Sequence, residues 1–248
     1  MPTTTPLTDA INALTQYANE TTGASDTTLS DAVGTLVAGY GGGGGGSVLP
    51  DGYTQLLYLK STGSQYIDTG IYTKANQTYY ILFEKEGGST NAFGNNVSGC
   101  ASFLQVGSNG LSRYYQYGSV NYSNFAIANN IEPLAIKMNL SGIWRWDYET
   151  GAYASKGTIS GSSVTENANI HNILFGRAIS YNSSTHTLNV QLSTVLIFRF
   201  RVEEDGVTIC DMYPAMRNTD KVLGMYDVKR GTFYTNAGTG TFSGATLE

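Results

Sequence analysis

Six consecutive glycines, Gly41 to Gly46, cut this chain in two. Glycine has no Cβ and visits both signs of φ, so no helix or strand runs through such a stretch. It reads as a flexible tether with a reach of roughly 12–15 Å. Residues before it are expected to fold apart from those after it. The division is residues 1–40 as a short arm, 41–48 as a poly-Gly linker and 49–248 as one large domain. Arm, tether and globular body is the layout of a module carried by a docking piece, as in an adaptor or adhesin. A chain that is not an enzyme is the expectation.

Charge is scarce. Only 13% of residues are Asp, Glu, Lys or Arg, about half the usual share. With 30 Gly and 18 Tyr, the surface is expected to be polar without being ionic, as in extracellular and virion β proteins. The net charge is −5 and the basic residues never cluster, which argues against nucleic acid or an anionic membrane as partner. No apolar run approaches the roughly 20 residues of a membrane span. Met1 to Thr8 offers neither a basic nor an apolar leader region, so synthesis in the cytoplasm is expected, and if the chain ends outside a cell a route other than ordinary secretion, such as virion assembly and lysis, is expected to take it there. Cys100 and Cys210, more than a hundred residues apart, do not make a disulfide framework. They read as small buried hydrophobes, with pairing left open.

In the arm, Leu7, Ala10, Ile11, Leu14, Tyr17 and Ala18 recur at three- and four-residue spacing, and so do Leu29, Ala32, Val33, Leu36 and Val37. Each set marks one face of a short helix. Thr5-Pro6 opens the first, and Thr28 with Asp31 resembles a capping box for the second. Helices of about three turns are marginal alone in water, so their apolar faces must meet a partner. Leu7, Ile11, Leu14, Tyr17, Leu29, Val33 and Leu36 are therefore candidate docking or oligomerisation residues. A hairpin folded back on the large domain is the alternative.

From Leu49 onward the pattern becomes short β-branched and aromatic runs broken by Gly, Asn and Ser clusters, which predicts an all-β sandwich. The expected strands begin with Thr54–Leu59, Tyr66–Asp68, Gln77–Glu84, Ala92–Asn95, Ser102–Val106, Leu111–Tyr117 and Leu134–Asn139. They continue with Ile143–Tyr148, Ala152–Thr158, Ile173–Arg177, Gln191–Val202, Gly224–Asp227 and Thr232–Asn236. Glu203-Glu204-Asp205-Gly206 reads as a hairpin turn. About a dozen strands without an internal repeat fit a two-sheet jelly roll.

Certain residues carry a resemblance. Leu49-Pro50-Asp51-Gly52-Tyr53-Thr54 leads to Ser64-Gln65-Tyr66-Ile67-Asp68-Thr69-Gly70. Later come Asp211-Met212-Tyr213-Pro214-Ala215, Val222-Leu223-Gly224-Met225-Tyr226-Asp227 and Gly231-Thr232-Phe233-Tyr234-Thr235-Asn236. These resemble the concanavalin A-like (laminin G-like) domains of phage and prophage structural proteins of Gram-positive gut bacteria. The arm, from Leu14-Thr15-Gln16-Tyr17 through Leu29-Ser30-Asp31-Ala32-Val33, resembles N-terminal segments of phage minor structural proteins. The resemblance implies a lectin-like sandwich on a virion, attached through residues 1–40 to other capsid or tail proteins, as a homo-oligomer such as a trimer. Host-surface or mucosal glycans are the implied ligands. Calcium is common in laminin G-like domains, but no loop here has the Asp/Asn spacing of an EF-hand, so no cofactor is expected.

No catalytic constellation emerges. The Glu-x-Asp-x-x-Glu strand of jelly-roll glycosidases is missing; Asp147 and Glu149 lack a third carboxylate in register, and Glu203, Glu204 and Asp205 sit on a hairpin tip. His171 and His186 have no metal-ligand spacing and read as surface or strand-edge residues. The binding candidates are aromatic. In Ile143-Trp144-Arg145-Trp146-Asp147-Tyr148-Glu149, alternation puts Trp144, Trp146 and Tyr148 on one face and Arg145, Asp147 and Glu149 on the other. The aromatic face either fills the core or forms a platform on which sugars stack. Arg113, Tyr115 and Tyr117 share a face of the next candidate, followed by Tyr122; they suit recognition or cross-strand pairing. Polar stretches 91–99 and 180–187 read as specificity loops. A purely structural decoration protein, or a glycan depolymerase, are the alternatives to a glycan-binding virion protein.

Overall fold

The computed structural model describes residues 47–86, 88–97, 101–107, 112–116, 119–121, 133–147, 150–158, 169–185 and 187–246. The arm, with Leu7, Ile11, Leu14, Tyr17, Leu29, Val33 and Leu36, and the hexaglycine lie outside them.

The described residues are all-β, with no helix. In chain order the strands are β1 (Tyr53–Lys60), β2 (Ile67–Tyr72), β3 (Gln77–Lys85), β4 (Thr90–Asn95), β5 (Ser102–Val106), β6 (Ser112–Gln116), β7 (Ser119–Asn121), β8 (Leu134–Asn139) and β9 (Gly142–Asp147). Next come β10 (Ala152–Thr158), β11 (His171–Leu174), β12 (Gly176–Asn182), β13 (Thr187–Leu192), β14 (Val195–Glu204), β15 (Val207–Arg217), β16 (Leu223–Asp227), β17 (Thr232–Thr235) and β18 (Ser243–Thr246). They form a two-sheet sandwich. The ten-stranded sheet runs β10-β9-β8-β3-β14-β1-β15-β16-β17, with β18 added against β1. The eight-stranded sheet runs β13-β12-β4-β5-β6-β7, with β11 between β4 and β2. All pairings are antiparallel except a single parallel contact between β12 and β4.

Alternation along β3 shows how the sequence selects its faces. Gln77, Tyr79, Ile81 and Phe83 are buried, whereas Thr78, Tyr80, Leu82 and Glu84 are half-buried. The inward set joins Leu59, Ile136, Met138, Ile143, Phe200 and Val202 of the same sheet, and Ile67, Ile71, Phe93, Leu104 and Leu174 of the other, in one core. Phe93 is the crossing point. Its ring lies 5.3 Å from Tyr79 and 5.3 Å from Phe200 across the sandwich.

This core also contains a polar pin. Asn172, on β11, donates to the Tyr79 hydroxyl at 3.1 Å, and that hydroxyl donates to Gln77 Oε1 at 2.6 Å. Asn95 donates to Asn172 Oδ1 at 2.9 Å and to Thr73 Oγ1 at 3.0 Å. All five residues are at most 1% exposed. Burial pushes the Tyr79 hydroxyl up to about 12. Mutually satisfied groups of this kind fix the register of one sheet against the other. Of the polar stretch 91–99, the residues up to Asn95 belong to a strand, as expected for Ala92–Asn95. There the Asn95 amide donates to Thr73 and Asn172, and the Asn91 backbone N–H donates to Ser193 Oγ at 2.8 Å, whereas Asn91 Oδ1 is buried without a hydrogen-bond partner among the described residues.

A second cluster lies on the opposite, outer face of the large sheet. Leu49, Tyr213, Ala215 and Tyr226 are buried there, with Val48, Tyr53, Leu82, Val228 and Phe233 against them. The chain thus becomes anchored at Val48, only two residues after the last glycine. The 203–206 turn is tight. Asp205 and Gly206 both have positive φ, at 50° and 77°, and Glu204 faces Val207, as a two-residue hairpin with a right-handed strand twist requires.

Candidate functional site

The outer face of the large sheet between β14 and β10 concentrates aromatic rings and cations, and a local irregularity in β14 places them there. Ile197 faces Phe83 and Phe200 faces Ile81, both in the core, but Arg199 faces Leu82. Phe198 is the extra residue of a bulge between Ile197 and Arg199. A bulge shifts the alternation by one residue and re-aims the side chains beyond it. Arg199 and Arg201 consequently point outward, and Phe200 and Val202 inward.

Two rows result. In the first, direct cross-strand neighbours run Arg201–Tyr80–Lys137–Trp144–Ser155 over β14, β3, β8, β9 and β10. The Arg201 guanidinium lies 4.1 Å from the Tyr80 ring centre, and Lys137 Nζ lies 5.8 Å from Tyr80 and 5.3 Å from Trp144. The second row holds Arg199, Leu82 and Ala135, with Trp146 facing Tyr153 at the sheet edge. Ala135 is small, so Tyr153 leans over it. Its ring reaches within 6.1 Å of Tyr80 while keeping an edge contact of 5.1 Å with Trp146. A cleft opens here, lined by Tyr80, Leu82, Ala135, Tyr153, Arg199 and Arg201.

Its polar groups are held rigidly. Arg199 makes a two-pronged bond to Asp211, Nε to Oδ1 at 2.8 Å and Nη2 to Oδ2 at 2.7 Å, with its guanidinium 4.8 Å from the Tyr213 ring centre. Burial pulls the Arg199 pKa down, but the Asp211 contacts outweigh it and hold the group above its ordinary value. Glu203 accepts from the Tyr80 hydroxyl at 3.0 Å and pairs with Arg201 at 3.2 Å. Burial, and then Glu203, raise the Tyr80 hydroxyl above its usual range, so it stays a donor. Rings beside fixed guanidinium and carboxylate groups offer stacking for an apolar C–H face and paired hydrogen bonds for hydroxyls.

The two tryptophans therefore share their face with Lys137 and Tyr80, whereas Arg145 stands opposite the core residue Ile136. Trp144 and Trp146 thus lie half-buried on the outer face of the sheet and do not fill the core between the sheets. Tyr148 and Glu149 lie outside the described residues. Arg113 and Tyr115 fall on β6, opposite Gln105 and Phe103. They belong to the eight-stranded sheet, so the structure does not bring them together with Trp144 and Trp146. Tyr117 and Tyr122 lie outside the described residues. Tyr80, Lys137, Ala135, Tyr153, Arg199 and Arg201 were missed by the sequence reading. Phe-Arg-Phe-Arg at 198–201 is alternation with a cation at every second place, a signal that the face opposite the apolar one is special.

The hairpin carboxylates, expected to be merely solvated, are tied down. Glu204 pairs with Lys74 at 2.8 Å and Asp205 accepts from Asn76 at 2.6 Å; the ladder between β14 and β3 runs as far as Glu204 opposite Gln77, which sets the tip beside the start of β3. Cys210 is free and buried, and burial pushes its thiol well up; Cys100 lies outside the described residues. Among the described residues, no three or more His, Cys, Asp or Glu are grouped to hold a metal ion.

His171 opens β11, half-exposed, and pairs with a carboxylate. Its Nδ1 lies 2.9 Å from Asp68 Oδ1, since β11 pairs with β2. The Asp68 hydrogen bond raises the His171 pKa against the lowering by burial and nearby Arg230. Burial raises Asp68, and the bonds from His171 and the Gly70 N–H more than reverse this. The His171 contribution is complete below its unfolded value of about 6.5 and is lost as pH rises through the raised folded value. That of Asp68 is complete above about 3.9 and is lost as pH falls through the depressed folded value. Wild type should therefore exceed His171→Gln in stability most near about pH 5, with the gap closing on either side. The side chains are 33% and 38% exposed, so the gap should stay below about 1 kcal/mol. Denaturant titrations across pH measure it, and a pH-independent gap would contradict the ion pair.

No family model matches the chain, and no curated protein matches it. Among solved structures it is similar to Scytalido-glutamic peptidase with a peptide-based transition-state analogue, at 14% identity and TM-score 0.33, covering 68% of this chain and 92% of the other. It is also similar to SCP-B, a member of the eqolisin family of peptidases in complex with the tripeptide Ala-Ile-His, at 14% identity and TM-score 0.30 with the same coverage. Both are enzymes, and on that finding the expectation of a non-enzymatic chain is withdrawn. At these scores the likeness carries no argument for peptidase activity.

Proposed function

We propose that this chain is a phage virion protein, a head fibre, decoration or tail-associated adhesin, whose domain from Leu49 is a concanavalin A-like jelly roll that binds host-surface or mucosal glycans. The observation that carries the glycan reading is the row of Tyr80, Trp144, Trp146 and Tyr153 on an outer sheet face beside Arg199, Arg201 and Glu203. Rings half-buried on an outer face add little to the core, and they suit a flat, hydroxylated ligand. The virion setting rests on the resemblance in the arm and the β domain. Residues 1–40 attach the chain to capsid or tail partners as a homo-oligomer, and several weak sites on glycine tethers then act together through avidity.

The test is a glycan array probed with the full chain and with the Tyr80→Ala/Tyr153→Ala double variant. Wild type should retain a related set of sugars, and the double variant should lose at least about tenfold in apparent affinity. Its thermal midpoint should fall by only a few degrees, about 2–4 °C per kcal/mol lost. An array silent to wild type, or equal retention of both proteins, overturns the reading.

A further inference from the structure

We propose that the outer-face row binds an acidic polysaccharide, with the carboxylate of an in-chain uronic acid over Lys137 and the neighbouring sugars resting against the exposed parts of the Tyr80 and Trp144 rings. The inference rests on the glycan-binding reading above and narrows it to a ligand class.

Three observations carry it. The first is charge. Arg199 is neutralised by Asp211 and Arg201 by Glu203, but Lys137 has no carboxylate within ion-pair distance among the described residues; its contacts are the two rings. The row is left with one uncompensated ammonium, on a chain whose net charge is −5. The second is position. Tyr80 and Trp144 lie two strands apart, with Lys137 directly between them, so the rings are separated by about 9.5 Å along the row. That is the span of a disaccharide. Nζ stands 5.8 Å and 5.3 Å from the two ring centres, between the rings and not stacked on one of them. A polymer crossing the strands would place alternate sugars on the rings and the intervening one over the ammonium. The third is chemistry. Lysine is a compact point charge without arginine's planar two-pronged fork, so it asks for one anionic group and not for a bidentate partner, which a single carboxylate standing off a sugar ring supplies. A terminal acidic sugar would use only one of the two rings, and the presence of both favours an internal residue.

The test is calorimetric titration of the full chain with a hexasaccharide of alternating glucuronic acid and N-acetylglucosamine, with the same hexasaccharide after carboxyl reduction to glucose, and with a sulfated neutral hexasaccharide. Wild type should bind the acidic form at least about tenfold more tightly than the reduced one, because a charge-assisted contact is lost. Lys137→Met, which keeps the aliphatic stem, should bring that ratio close to one with an unchanged melting curve, and Trp144→Ala should weaken both forms. Equal affinity for the acidic and reduced forms, or sulfated sugar equalling the acid, overturns the uronic acid assignment while leaving glycan binding in place. Failure to bind any of the three, together with a silent glycan array, removes both.

Discussion

Gly94→Ala is expected to lower the thermal midpoint by ten degrees or more. Gly94 stands in β4, inside the small sheet, paired with Phe103 on one side and Ile173 on the other. Its φ is 126°, where an L side chain is strained, and an added Cβ would meet Ser102 O at 2.1 Å and Phe103 Cα at 2.4 Å. Both are backbone atoms of β5 and cannot rotate away. Backbone strain of about 1–3 kcal/mol and overpacking of about 1–3 kcal/mol together give roughly 2–6 kcal/mol, about 4 at the centre. At about 2–4 °C per kcal/mol for a domain of this size, the shift follows. Gly206→Ala is the matched control. It has φ of 77° but nothing within 4 Å of the added atom, so it isolates strain at about 1–2 kcal/mol. Calorimetric melts of the two variants separate clash from strain. Equal shifts would mean that β5 yields to the methyl group without loss.

Short apolar runs bounded by turn residues were legible as strands. Ser102–Val106, Leu134–Asn139 and Ala152–Thr158 stand as expected from the sequence, although Ser102–Val106 is buried on both faces and shows no alternation. The two-sheet sandwich followed from many such short runs. Other features depend on partners far along the chain. Nothing local says that Asn91 and Asn95 are buried, because their hydrogen-bond partners lie on Ser193, Thr73 and Asn172. The bulge at Phe198 is invisible in Ile-Phe-Arg-Phe-Arg, which alternates equally well in either register; it is set by pairing with Ile81–Phe83. The site inherits that ambiguity. Trp144 and Trp146 were legible as a row, but which way the row faced depended on Lys137 and Tyr80 across the sheet, and on Ala135 leaving room for Tyr153. A reading limited to single strands sees rings but no cleft.

The Arg199–Asp211 pair joins stability to recognition, and its removal separates them. Both side chains are about one-tenth exposed, at 9% and 10%, on the outer face between the cleft and the second cluster. Asp211→Ala leaves a guanidinium without its carboxylate beneath Tyr213, and removing one partner of a buried pair costs about 3–5 kcal/mol. The melt should fall by roughly ten degrees. Replacing both partners, as in Arg199→Met/Asp211→Leu, removes the uncompensated charge and should recover most of that loss, since apolar replacements of buried ion pairs are often neutral or stabilising. The double variant nonetheless lacks the guanidinium that lines the cleft beside Tyr80 and Tyr153. A melt restored to near wild type with glycan retention still reduced would identify Arg199 as a ligand contact. If the double variant regained both, the pair would be scaffold, and recognition would belong to Arg201, Lys137 and the rings. If it regained neither, the two-pronged geometry itself would be what holds β14 to β15 on this face.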